Sequence, residues 1–124
     1  MDAKLAETVR EAAAHARRRA MNYPGSIRAD DLPWAVLETF DAEVRGHVER
    51  DRRIEDERDR VLIAAVMLAE SPPDAGAEEV GAARDHLIAA IDYLEQAVLR
   101  FGLVNQKAAR LGYGVAGQPV AART

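Results

Sequence analysis

The chain has 124 residues, is 48% hydrophobic and 31% charged, and carries a formal net charge of −4. That length suits one domain and is too short for two well-buried cores, and the acidic balance argues against a general polyanion-binding protein, because counterion release on DNA needs a concentrated excess of Lys and Arg. There is no cysteine, which excludes disulfides, thiolate metal ligands and a cysteine nucleophile together.

Alanine occupies 25 positions and aromatic residues only 5% of the chain, so the core is expected to be thin, closely approached and helical. Fifteen Arg against two Lys reads as the signature of a GC-rich genome before a recognition bias. No window approaches the eighteen or so apolar residues of a membrane span, and MDAKLAETVREAAAHARRRA has no secretory apolar core. The cytoplasm is the expected location.

Residues 2 to 21 set Leu5, Val9, Ala12, Ala13, Ala16 and Ala20 on one stripe at three- and four-residue spacing, which predicts a first helix with a narrow apolar face. Asn22-Tyr23-Pro24-Gly25-Ser26 is a turn signal, and Asp30-Asp31-Leu32-Pro33 reads as the start of a second helix. From Leu37 one seven-residue frame continues: Leu37, Val44, Asp51, Arg58 and Ala65 fall in one column, Phe40, His47, Ile54, Val61 and Leu68 in the other.

The frame runs through ERDRRIEDERDR, residues 49 to 60, which holds six acids and five arginines. A linker should break the register and a nucleic-acid arm should carry one sign of charge. Opposite charges at helical spacing, such as Arg53 with Glu57 and Asp56 with Arg60, predict instead a salt-bridge-laced helix. The second helix then spans about residues 32 to 70, roughly 55 to 60 Å at the standard rise. Two shorter helices broken near Gly46 or Arg52 are the alternative.

Ser71-Pro72-Pro73-Asp74-Ala75-Gly76 ends that segment, and a third helix runs to about Phe101 with Val80, Leu87, Leu94 and Phe101 in one column and Ala83, Ala90 and Ala97 in the next. Gly102 is the expected stop. LVNQKAARL beyond it has the pattern of a short fourth helix, and residues 112–124 have none, which predicts a flexible or partner-docking tail after one domain over 1–111.

Candidates for chemistry are few. His15, His47 and His86 fall one per helix, and Glu11 with His15 and Glu43 with His47 have Glu-x-x-x-His spacing, not the Glu-x-x-His of bundle metal sites. A solvated Glu–His pair is the expected state. Ser26 and Ser71 lack a nucleophile-elbow context, and GYGVAG follows a helix, so it is not a phosphate loop. Arg17, Arg18 and Arg19 near a helix C-terminus complement its dipole without a ligand.

EDERDRVLIAAVMLAE, residues 55 to 70, resembles the acid-rich second metal-binding helix of the all-α nucleoside triphosphate pyrophosphohydrolases, the MazG-like group. The resemblance covers about sixteen residues. It implies magnesium held by acids on two helices, here Glu38, Asp41, Glu43, Asp56 and Asp59, with the metal binding a triphosphate. The chain departs from the pattern at Arg60, where the family pattern has an aspartate.

The heptad seam turns Asp51 and Arg58 inward, one turn after His47, and a buried unpaired charge is too costly to persist. Pairing with a second copy, or overhang into water, resolves this. The expected architecture is all-α: an antiparallel three-helix bundle with one long central helix pair and room for a short fourth C-terminal helix. The expected function is non-enzymatic interaction or assembly, as a homodimer joined through Leu37, Phe40, Val44, His47, Asp51, Ile54 and Arg58, with a further unidentified protein partner and no cofactor. The alternative is a magnesium-dependent MazG-like enzyme.

Overall fold

The computed structural model describes residues 1–24, 31–72 and 74–104. Among them the chain is helical, in the order α1 (Ala3–Asn22), α2 (Leu32–Glu43), a single 3₁₀ turn (Arg45–His47), α3 (Arg52–Ala69) and α4 (Ala77–Phe101). No helix among these residues is long and apolar enough to cross a membrane.

Helix α1 starts where Asp2 accepts a hydrogen bond from the Leu5 amide at 2.8 Å, satisfying one of the free first-turn donors. Its buried face is Val9, Ala12, Ala13, Ala16 and Ala20, the stripe the spacing predicts, with Leu5 partly buried at its edge. α2 begins at Leu32 with Pro33 in its first turn, where the missing amide costs no hydrogen bond.

The continuous helix over 32 to 70 is not formed: the chain leaves helical geometry between Val44 and Asp51 and folds back. Val48 is extended, at φ −119° and ψ 151°, and forms an isolated antiparallel bridge with Val104, while the Glu49 amide donates to the Leu103 carbonyl at 2.7 Å. Asp51 then opens α3 as its cap, accepting from the Arg53 amide at 2.8 Å. Gly46 marks the break without compelling it, since a β-carbon there would meet nothing within 4 Å. The cause is burial: folding back covers Val44, Val48 and Ile54 in one chain, where a straight helix would leave its far half uncovered. The charged stretch is therefore neither a linker nor the middle of one long helix but the bend and the first turns of α3.

Contacts fix the direction of each helix against its neighbours. Arg45, in the 3₁₀ turn, and Asp41, before it on α2, pair with Glu55 and Arg58, in ascending order on α3, so α2 and α3 run antiparallel. Arg53 at the start of α3 lies 3.8 Å from the ring centre of Phe101 at the end of α4, and Arg17 of α1 pairs with Asp92 and Glu95 while Arg84 reaches the later Ala20 and Tyr23 carbonyls. Each helix packs on two others, and all four contribute to one core. The helix beyond the expected three is thus α3, the second half of the expected long one, and the four helices form a ring in place of a long central pair.

α4 ends at Gly102, as the glycine suggests, for a reason of space: φ is −68°, and a β-carbon would come 2.5 Å from the Val98 carbonyl oxygen. Leu103 is exposed and Val104 lies in the bridge, so the helix expected from LVNQKAARL does not start there. Its remainder, Tyr113 and the 112–124 tail lie outside the described residues.

The cap at Asp51 has a pH signature. Hydrogen bonds from the Arg53 side chain, and then from the Arg53 backbone, hold its carboxyl at about 2 against an ordinary 3.8. A depressed carboxyl stabilises the fold above its unfolded pKa, and that contribution disappears as pH falls through the folded value. Helicity followed by circular dichroism from pH 4 down to pH 2 should therefore fall more steeply in the native chain than in Asp51→Asn, which keeps a cap oxygen without the charge. Parallel curves would show that the charge at Asp51 contributes nothing.

Candidate functional site

The acids of the magnesium reading do not gather. Asp41 on α2 is engaged by Arg58, which donates from Nε and Nη2 at 2.9 and 2.7 Å, so both its carboxylate oxygens are occupied. Glu38 points elsewhere, toward His15 and Arg19 at 3.7 Å. Glu43 and Asp59 are exposed, and Asp56 lies 3.9 Å from Arg52. Among the described residues no group of three or more His, Asp or Glu side chains is placed to hold a metal ion. The ligand set implied by the MazG-like resemblance is not assembled, because Arg58 takes the acid that would anchor it.

The heptad seam is also used differently. Leu37, Phe40, Val44 and Ile54 are buried in the chain's own core, where the fold-back supplies the apolar surface that a second copy was expected to bring. Arg58 is 9% exposed and finds its counter-charge in Asp41, which raises its pKa further through the hydrogen bonds. His47 is exposed in the 3₁₀ turn and Asp51 is partly exposed at the α3 cap. Neither the overhang nor the inward unpaired charge remains.

What the fold leaves on the outside is a different apolar surface. On α3, Ile63, Val66 and Met67 are 59%, 36% and 57% exposed; three and four residues apart, they share one helix flank. Trp34 on α2 is 64% exposed. The Asp41–Arg58 pair sets the register of these antiparallel helices, so Trp34, seven residues before Asp41, lies level with residues about seven after Arg58, at Ala65 and Val66. Val66 is on the α2-facing edge of that flank, eleven residues (three turns) on from Glu55, which meets Arg45. Large exposed side chains in such a group are the usual mark of a contact surface. The heptad count missed them because it followed the opposite, buried face of the same helix.

Comparison with family models, with curated proteins and with solved structures finds no match to this chain.

Proposed function

We propose that the protein is a small helical interaction module that assembles with a second copy of itself through the outer face of α2 and α3, around Trp34, Ile63, Val66 and Met67. The observation that carries this reading is the grouping of Ile63, Val66 and Met67 on one flank of α3 with Trp34 level with it on α2, whereas the other large apolar side chains exposed among the described residues, Met1, Met21, Tyr93 and Leu103, are scattered over other segments. The charges bordering the flank have both signs, Asp56 and Asp59 with Arg60. A two-fold contact lays the same patch against itself, so a mixed border suits a second copy better than a strongly charged partner. Its role in this reading is assembly, and catalysis is not required of it.

Multi-angle light scattering tests the proposal. The native chain should show twice its 13.6 kDa mass, and Ile63→Glu with Met67→Glu should return it to the single-chain mass with helicity intact, since both side chains are solvent-facing. A native chain that keeps the single mass at the highest soluble concentration would overturn the reading.

A further inference from the structure

The outer stripe of α3 has an order of its own. Asp56, Arg60, Ile63, Met67 and Glu70 are all exposed and follow one another at intervals of four, three, four and three residues, the spacing of a seam that meets another helix side by side. The stripe is apolar in the middle, with Arg60 before the apolar pair, Glu70 after it and Asp56 further out.

Glu70 is the member that its own chain leaves unexplained. It caps the C-terminal end of α3, and no basic residue stands in the last turn of that helix, so an anion sits at the end of the dipole that repels it. Its carboxylate meets no cation among the described residues. Arg60 has donors to spare: its side chain is 65% exposed, and Glu57, one turn earlier, engages Nη1 at 3.1 Å, which leaves the other guanidinium nitrogens for a second carboxylate.

The two ways of laying this stripe on its copy differ sharply in charge. In a parallel pair each residue meets itself, so Asp56, Arg60 and Glu70 all face their like, which is unfavourable. In an antiparallel pair with the two-fold axis at the level of Ala65, midway between Ile63 and Met67, Ile63 meets the partner's Met67 and Arg60 meets the partner's Glu70, and each contact occurs twice. Asp56 then falls past the end of the partner's α3, which stops at Ala69, and stays in water. Moving the axis to the level of Ile63 would lose the Arg60 pair and oppose Asp56 to Glu70. Trp34 is level with Ala65 and Val66 through the Asp41–Arg58 register, so the axis that matches the charges also crosses the middle of the apolar patch.

We propose that α3 of one copy packs antiparallel on α3 of the other, with Ile63 and Met67 interleaved across the axis and an Arg60–Glu70 ion pair closing the seam at each end. This rests on the self-association proposed above and adds to it the direction of the partner helix and the charges that fix that direction. Apolar contact supplies the affinity, and the charges at the rim select orientation and register. Each copy also supplies the cation that offsets the negative end of the other's α3.

Charge exchange followed by light scattering tests the arrangement on the full chain at low salt, where rim pairs are least screened. Arg60→Glu and Glu70→Arg should each weaken the dimer by at least about tenfold, since either one places two like-charge contacts in the seam. At a concentration where each variant alone has the 13.6 kDa mass, an equimolar mixture of the two should have twice that mass, because in the mixed dimer both contacts again join opposite charges. Circular dichroism confirms that each variant is folded, as expected for side chains that face water. A native dimer whose mass neither single variant changes would overturn the antiparallel seam and leave self-association standing, since a parallel pair only exchanges one repulsion for another. Variants that weaken the dimer without recovery in the mixture would overturn the Arg60–Glu70 pairing, and a native chain that is itself monomeric would take the seam down together with the reading it rests on.

Discussion

Asp41→Ala should lower the stability of the fold by about 3 kcal/mol, the low end for breaking a buried ion pair by removing one partner. The low end applies because the Asp41 side chain is 32% exposed, while that of Arg58 is only 11% exposed. The loss arises less from the missing attraction than from what remains, a guanidinium held in the α2–α3 interface without its hydrogen-bonded partner and with little water, with Glu55 and Asp59 acting on it only through space. Chemical unfolding should show the midpoint fall with an unchanged slope, as expected when the exposed area on unfolding is the same. Replacing both partners, as Asp41→Leu with Arg58→Met, should restore most of the stability, since apolar side chains of similar volume carry no desolvation penalty. If the double variant is as unstable as Asp41→Ala, the pair itself stabilises the fold and the account given for Arg58 is wrong.

Leu37→Ala should cost about 2 to 5 kcal/mol, the range for emptying a leucine site in a packed core. Leu37 is 1% exposed and sits in the common core. The concentration dependence is as informative as the size of the effect. A leucine in a seam between two copies would destabilise in a way that fades as protein concentration rises, because association feeds back on apparent stability. Here the loss should be the same at all concentrations, whereas changes at Ile63 or Met67 should alter the dimer mass and leave the stability of the single chain nearly untouched. A concentration-dependent loss at Leu37 would return it to an intermolecular seam.

The α1 stripe and the stop at Phe101 were legible because each depends on spacing within one helix. The break between Val44 and Asp51 was legible only as an alternative. Val44, Ile54 and Val61 are buried on both sides of the bend, and a face that packs against its own continuation shows the same apolar period as one that packs against a copy. Asp51 could have been read as a helix cap, since its side chain needs only the Arg53 amide two residues on. Arg58 could not have been matched to Asp41, seventeen positions earlier, until the bend was known. Nor could Arg84 have been matched to the Ala20 and Tyr23 carbonyls, 64 and 61 positions earlier, until α1 and α4 were seen to pack together.

That reach of Arg84 also bears on the order in which the chain becomes stable. The last carbonyls of α1 receive their donors from α4, so the end of α1 remains prone to fraying until the later α4 docks. Local helix strength and closure of the ring are in this way one cooperative event. Amide exchange at the last turn of α1 should then report the docking of α4, and should track global opening more closely than exchange at the Asp2-capped first turn, whose donor and acceptor are only three residues apart.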